Sequence, residues 1–462
     1  MRNLIRYSLP LLFLLIGGLY LAENSDTLSS GISVAVVCGG LLGVITFLRP
    51  EIGIYFILFS TLFFPEIPLG NVVVGLTSSK REIGIRPEDI LIILIAAGWF
   101  TRLVIRRELM SIPQTALTIP IIIFSFIMII ATLSGALFGS VPLAAGFFYT
   151  LKRLEYFLVF FMVIINLKTI KEVKIGIMIL LIASALVALY GIGEHLSTPE
   201  ARVAGPFQRS QANILGGFFI ITIFLALSFF LNYRSVTSRL GFFILLFISI
   251  YTAVWTRSRS TYTSLYIGLI IFSLLTRRPF LLCIPILLII FQSSLLPERV
   301  QETVRSIGAV YNSGEINTSW ESRINAWNIS LPKILEQPFL GYGLGAFDLA
   351  WADNQYVHDA LSIGLIGLGG FIWLIVRLFR STWSMYRDSP ELYNRTLAIG
   401  FISGLNGLLI QGIAVANFYT IRTMVPFWFL TGLVMVANHI EEESASDGKA
   451  VPSVGVNVIE TT

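Results

Sequence analysis

Runs of about twenty consecutive apolar residues recur along almost the whole chain, and they restrict the fold more than any other feature of the sequence. A run of this length crosses the hydrocarbon layer of a bilayer as a single α-helix. One run, at 52–64, is shorter than a full crossing, so we predict about 12–14 transmembrane helices. Up to fourteen runs are present, at 4–21, 31–48, 52–64, 90–105, 117–138, 147–166, 174–193, 214–232, 240–256, 261–276, 279–296, 359–379, 396–415 and 424–440.

The composition agrees with a membrane protein. Hydrophobic residues make up 55% of the 462 residues and charged residues only 13%, whereas about a quarter of the residues in soluble domains are charged. A transmembrane β-barrel would alternate apolar and polar residues in segments of about ten, which does not fit continuous apolar runs. We therefore predict an all-α polytopic membrane protein whose first run resembles a signal peptide but is kept as a helix.

The distribution of Lys and Arg predicts the orientation of the chain. Short basic loops are retained in the cytoplasm, which places the loops at 102–107, 168–174 and 377–395 inside and the longest loop outside. That loop is long enough for one or two helices over the membrane surface. The predicted organisation is transmembrane helices in 1–296, a large periplasmic loop at 297–358, transmembrane helices in 359–440 and a disordered cytoplasmic tail at 441–462.

Several arginines fall on the outside, against the bias of membrane insertion. A guanidinium group is a permanent planar cation that binds phosphate oxygens through two hydrogen bonds. An anionic headgroup such as a lipid diphosphate is therefore the predicted partner. The alternative is that these side chains only anchor the protein at the lipid interface. The candidate residues are Arg202, Arg209, Arg257, Arg259 and Arg323.

Two outer segments combine polar residues with glycines. In the first, Arg323 and Trp327 lie four residues apart and share a helix face, and Pro338 with the glycines at 341, 343 and 345 ends that helix. In the second, the stretch WADNQYVHDALSIGLIG at 351–367 has two Asp, an Asn and a His immediately before a glycine-containing apolar run. The simplest interpretation of Asp353 and Asn354 is that they cap the following helix.

Other polar residues have local explanations. The stretch RPEDI at 86–90 is typical of a helix start, with proline in the first turn and acids near the positive end of the helix dipole. Lys152 and Glu155 lie three residues apart, and we interpret them as an ion pair. The two cysteines, Cys38 and Cys283, lie inside apolar runs, so we predict neither a structural disulfide nor a cysteine-based metal site, and the three histidines are too dispersed to predict a metal cluster.

The chain resembles the bacterial O-antigen ligase and polymerase superfamily, also called WaaL-like or Wzy-C proteins. Four segments carry this resemblance: 201–217, 255–268, 321–347 and 351–367. The resemblance covers roughly residues 147–380. Proteins of this superfamily have an arginine segment like RVAGPFQRSQAN and a serine–arginine turn like TRSRS. A periplasmic loop with Arg-x-x-x-Trp, Pro and Gly-x-Gly follows, which here corresponds to Arg323, Trp327, Pro338, Gly341 and Gly343.

The end of that loop departs from the superfamily pattern at one position. The pattern is His, then Asn, Ser or Gln, then nine residues and Gly-x-x-Gly. Asn354, Gly364 and Gly367 fit this spacing, but Asp353 occupies the histidine position and His358 lies five residues further on.

The resemblance implies a GT-C-like membrane fold and an inverting, metal-independent glycosyltransferase without a cofactor. Its donor would be a glycan on undecaprenyl diphosphate, used at the periplasmic face of the bacterial inner membrane. The acceptor would be a lipid A–core sugar in a ligase or a lipid-linked glycan in a polymerase. A polymerase would add a chain-length regulator to the partners, besides membrane lipids, and no nucleic-acid partner is expected.

The same resemblance suggests roles for the candidate residues. The arginines would bind the diphosphate, and Asp353, Asn354 and His358 would prepare the acceptor hydroxyl, since a carboxylate or an imidazole can accept a proton. The change from His to Asp gives a slight preference for a polymerase or exopolysaccharide-type transferase over a ligase. A polysaccharide flippase or exporter is the alternative from another class, although transporters more often show internal repeats and charged, broken helices. A scaffold for envelope assembly is the third alternative.

Overall fold

The computed structural model describes residues 45–46, 49–64, 67–73, 80–106, 114–207, 211–233, 235–283, 301, 318–347 and 353–446. The predicted run at 4–21 and most of the runs at 31–48 and 279–296 lie outside these residues. So do Arg209 and residues 447–462 of the predicted tail.

Helices form almost all of the described chain. One antiparallel hairpin is added to them, in which β1 (Ile67–Val73) pairs with β2 (Lys80–Ile85). Twelve α-helices occur among the described residues: α1 (Pro50–Phe63), α2 (Pro87–Arg106), α3 (Thr118–Leu137), α4 (Leu143–Asn166), α5 (Ile170–Ser197), α6 (Ala212–Asn232), α7 (Val236–Trp255), α8 (Arg259–Thr276), α9 (Thr318–Glu336), α10 (Gln355–Asp388), α11 (Leu392–Gln411) and α12 (Ile421–Ser446).

Six of these helices, α3, α5, α6, α7, α10 and α12, are long and apolar enough to cross a membrane. The predicted class, an all-α polytopic membrane protein, is therefore confirmed. The helices α2, α4, α8 and α11 coincide with further predicted runs. The total of about 12–14 crossings stays a prediction.

Small residues bring the central helices together. The apolar windows of α6 and α12 are 78% and 83% buried, which places both helices inside the bundle. On α11, a Cβ added to Gly400 would come within 2.9 Å of Leu225 Cα, and one added to Gly404 within 3.2 Å of Ile221 Cα, both on α6. Glycines spaced four residues apart let two membrane helices approach with their backbones in contact.

The bundle has two distinct ends. At one end α5 and α7 finish and α6, α8, α10 and α12 begin, and we call it the arginine end. At the opposite end Arg278 donates to Asn232 at 3.3 Å and Asn394 donates to Glu441 at 2.8 Å. Which end faces the periplasm stays a prediction from the basic loops.

Two predicted boundaries fall inside helices. Because Asn354 caps α10, this helix begins at Gln355 and includes the last residues of the predicted loop 297–358. The last helix, α12, continues to Ser446 and so includes the start of the predicted tail 441–462. The remaining domain divisions stay a prediction.

Candidate functional site

A tight turn between α7 and α8 presents two arginines at the arginine end. Arg257 has a left-handed backbone conformation with φ 47°, which is uncommon for a residue with a Cβ. The Ser258 side chain then caps α8 by accepting a hydrogen bond from the Thr261 N–H at 3.3 Å. Arg259 is the first residue of α8, so the predicted turn is confirmed and its two guanidinium groups are half-buried near one helix N-terminus.

The loop at 201–207 lies against this turn. Arg202 Nε donates to the Thr256 carbonyl at 2.9 Å, and Arg202 Nη2 donates to Asn213 Oδ1 at 2.8 Å. Arg257 Nη2 in turn donates to the Glu200 carbonyl at 2.7 Å, directly before the loop. The arginine of each segment is therefore hydrogen-bonded to a backbone carbonyl of the other segment. The third arginine of the site, Arg202, is therefore fixed beside the turn although 55 residues separate it from Arg257.

The fourth arginine comes from α9. Arg323 is half-buried and its Nη2 donates to the Ala414 carbonyl at 3.4 Å, between α11 and α12. Partial desolvation lowers the pKa of Arg202, and the charges of Arg257 and Arg259 lower it further. Desolvation also lowers the pKa of Arg323, where the Asp353 carboxylate opposes the shift and the Arg259 charge adds to it. Hydrogen bonds therefore join the segments of Arg202 and Arg257, and the Arg259 charge acts on both Arg202 and Arg323, so the four described arginines lie near one another.

Asp353 lies beside this group and is exposed. Partial desolvation raises the pKa of its carboxyl group, and the Arg323 charge partly offsets the rise. The next residue, Asn354, accepts hydrogen bonds through Oδ1 from the Tyr356 N–H at 2.9 Å and the Val357 N–H at 3.2 Å. The helix-cap interpretation is thus confirmed for Asn354. The cap also fixes the backbone conformation next to Asp353.

His358 has a different environment from Asp353. It is only 3% exposed, and its ring packs edge-on against the Tyr419 ring with centroids 4.5 Å apart. The structure therefore brings Asp353 to the arginines and places His358 inside the bundle.

A buried ion pair beneath this region was not predicted from the sequence. The fully buried Asp359 carboxylate accepts hydrogen bonds from Arg153 Nη2, Tyr419 Oη and Gln355 Nε2, each at 2.8 Å. An ionisable residue inside a membrane helix is a functional-site candidate in its own right, so Arg153 offered a signal. Its partner could not be found, because 206 residues separate it from Asp359.

The neighbouring acid–base pair was predicted in part. Lys152 Nζ lies 3.3 Å from Glu155 Oε2, which confirms the interpretation of these two residues as an ion pair. Lys152 also pairs with Asp89 in the first turn of α2. The predicted helix start at RPEDI is confirmed as well, since α2 begins at Pro87.

The two glycine motifs of the outer segments contact each other. α10 is interrupted at Gly364, where φ is 69°. Across the break, the Leu365 N–H donates to the Pro338 carbonyl at 2.7 Å and the Gly343 N–H donates to the Ser362 carbonyl at 2.9 Å. A Cβ at Gly364 would lie 2.1 Å from the Phe339 carbonyl oxygen. The glycines therefore let the segment after α9 pair with the interrupted backbone of α10, close to the polar start of that helix.

Among the described residues, no group of three or more His, Cys, Asp or Glu side chains could hold a metal ion. The described groups that converge at the arginine end are guanidinium cations, and the Asp353 carboxylate lies beside Arg323. Glu194 and Glu200 are acidic residues of the neighbouring segment, and the Glu200 carbonyl accepts a hydrogen bond from Arg257. Such an arrangement is suited to binding an anion next to a proton acceptor.

A family model described as O-antigen ligase matches residues 244–372. The matched region extends from α7 into the first half of α10, and it contains Arg257, Arg259, Arg323 and Asp353. The resemblance of the chain to the O-antigen ligase and polymerase superfamily is therefore confirmed. None of the curated proteins compared with the chain matches it.

Proposed function

We propose that the protein is a glycosyltransferase of the O-antigen ligase and polymerase type. It would move a glycan from undecaprenyl diphosphate to the hydroxyl group of an acceptor sugar at the periplasmic face of the inner membrane. The observation that supports this most strongly is the convergence of Arg202, Arg257, Arg259 and Arg323 from three separate parts of the chain, with the Asp353 carboxylate beside Arg323.

The arginines would bind and stabilise the leaving group. When the bond between the sugar C1 and the diphosphate oxygen breaks, its electron pair stays on the diphosphate. Fixed cations that face this oxygen stabilise the developing charge most strongly in the transition state. The N-terminus of α8 begins at Arg259 and adds the positive end of its dipole. The leaving group therefore needs neither a metal ion nor a nucleotide in this mechanism.

Asp353 would act on the acceptor. Its carboxylate takes the proton of the acceptor hydroxyl while the hydroxyl oxygen attacks C1 from the face opposite the diphosphate, which inverts the configuration at C1. The mutual electrostatic effect of Asp353 and Arg323 supports a proton acceptor next to the proposed diphosphate site. Asn354 would support this by fixing the start of α10, and His358 by its packing against Tyr419.

We retain a slight preference for a polymerase of lipopolysaccharide or exopolysaccharide, since Asp353 stands where the superfamily has histidine. A ligase acting on lipid A–core is the second candidate, and the description of the matching family favours it. The same match argues against a flippase or exporter. Supplying the purified protein with either lipid A–core or a second lipid-linked repeat as acceptor would separate ligase from polymerase, because only the true acceptor is extended.

The test of the mechanism is turnover of the purified, reconstituted protein with a lipid-linked donor. Asp353→Asn keeps the shape of the side chain but cannot accept a proton, so turnover should fall about 10²–10⁴-fold while donor binding is retained. Asp388→Asn, at the opposite end of α10, is the matched control and should leave turnover unchanged. Near-normal turnover of Asp353→Asn would show that Asp353 is not the base.

A further inference from the structure

We propose that Gln411 is a positioning residue that sets the spacing of the arginine segments, an inference that rests on the proposed diphosphate site. Gln411 is the last residue of α11 and is fully buried. Its Nε2 donates to the Asn213 carbonyl at 2.9 Å and to Thr261 Oγ1 at 3.2 Å. Its Oε1 accepts from Asn417 Nδ2 at 3.2 Å. One amide group therefore joins α6, α8 and the segment between α11 and α12.

Two of these contacts lead directly to arginines of the site. Asn213 is the residue whose side chain accepts a hydrogen bond from Arg202 at 2.8 Å. Thr261 lies two residues after Arg259 in the first turn of α8, and its N–H is held by the Ser258 cap. The Gln411 amide consequently fixes the distance between the segments of Arg202 and Arg259.

The third contact leads to the other half of the site. Asn417 belongs to the short segment 412–420, which also holds Arg323 through the Ala414 carbonyl. The Gly412 carbonyl in this segment accepts a hydrogen bond from the Gln355 N–H at 2.8 Å, at the start of α10. Arg323 and the backbone next to Asp353 are thus both hydrogen-bonded to the segment that begins directly after Gln411.

The surroundings of the amide leave it little freedom to move. A Cβ at Gly217 on α6 would come within 2.7 Å of Gln411 Oε1, and one at Gly216 within 2.0 Å of Thr261 Oγ1. Two glycines on the facing helix therefore make room for the amide and its partner. Since a doubly anionic ligand is bound through oriented guanidinium groups, a small change in their spacing should weaken its binding.

The experiment measures undecaprenyl diphosphate binding and steady-state turnover with the full chain in nanodiscs. Gln411→Met keeps the length of the side chain but removes both its donor and its acceptor. We expect the Kd for undecaprenyl diphosphate and the KM for the donor to rise about tenfold or more, with little change in the KM for the acceptor. The matched control is Asn394→Leu, which removes a buried amide at the opposite end of the bundle. It should lower the melting temperature without changing the Kd.

A second variant guards against a folding defect. Gly217→Ala pushes on the amide without removing its hydrogen-bonding groups, so it should raise the Kd in the same direction by a smaller factor. Arg259→Lys tests the diphosphate site itself, because it keeps the charge and loses the planar fork.

If Arg259→Lys weakens binding while Gln411→Met and Gly217→Ala bind like Asn394→Leu, the positioning role is wrong and the diphosphate site stands. If Arg259→Lys also binds normally, the diphosphate site is wrong and the role of Gln411 falls with it.

Discussion

Replacing Arg153 by Met should destabilise the protein strongly, because the change leaves a carboxylate buried without its counter-ion. Arg153 is 4% exposed and Asp359 is 0% exposed, and their side chains form an ion pair at 2.8 Å. In the Arg153→Met variant, Asp359 would keep two neutral donors, Tyr419 and Gln355. Neutral hydrogen bonds offset only part of the cost of holding a negative charge in the bundle interior.

The magnitude follows from this geometry. Breaking one side of a buried ion pair costs about 3–5 kcal/mol. The Arg153 guanidinium also lies 3.8 Å from the centroid of the Tyr419 ring, a cation–π contact worth about 0.5–2 kcal/mol. We therefore expect a loss near the upper part of the first range. The double variant Arg153→Met, Asp359→Asn removes both charges and should recover much of the loss.

The assay is the free energy of unfolding of the purified protein in detergent. The matched control is Arg387→Met, which breaks an ion pair whose side chains are 68% and 51% exposed and should leave the unfolding transition unchanged. A loss below about 1 kcal/mol for Arg153→Met would refute the reasoning, since breaking a buried pair costs several times more. A double variant no more stable than Arg153→Met would refute it as well.

Three further predictions concern the backbone, the proton acceptor and the orientation. Gly364→Ala should destabilise the protein by about 1–3 kcal/mol, because Gly364 has a positive φ and an added Cβ would meet the Phe339 carbonyl. Gly369→Ala is the control and should not destabilise the protein, because the space around Gly369 is open. Equal melting temperatures of the two variants would contradict this. Asp353 can accept a proton only when its carboxyl group is ionised, so turnover should fall as the pH drops through its raised pKa. The Arg323 charge lowers this pKa, so Arg323→Gln should move the loss of turnover to higher pH. An unmoved pH profile would exclude Asp353 as the base. In a cysteine-free background, Cys at the exposed position of Asn328 on α9 should react with a membrane-impermeant thiol reagent on intact spheroplasts, and reaction only after lysis would reverse the orientation.

Much of the fold could be predicted because its signals are local. Apolar runs long enough to cross a bilayer define helices without knowledge of their neighbours. The turn at Arg257–Arg259 and the helix start at Pro87 likewise depend on a few consecutive residues. The location of the arginines on one side of the membrane was predicted from the basic loops and stays a prediction.

The contacts within the site could not be predicted in the same way. Gln411 is a single polar residue at the end of an apolar run, and its partners on α6 and α8 lie 198 and 150 residues away. The pairing of the Gly341 segment with the break at Gly364 depends on a backbone conformation that no side-chain pattern encodes. Burial separates His358 from Asp353, although the sequence places them only five residues apart.

The most direct test of the central claim is the affinity of the purified protein for undecaprenyl diphosphate in nanodiscs. Hydrogen bonds to charged groups contribute about 1.5–3 kcal/mol each, so Arg257→Gln combined with Arg259→Gln should weaken binding at least about 100-fold. Arg278→Gln, an arginine at the opposite end of the bundle, is the matched control and should bind like the unmodified protein. Equal affinities of the double variant and the control would contradict the account, because the diphosphate would then be bound elsewhere or not at all.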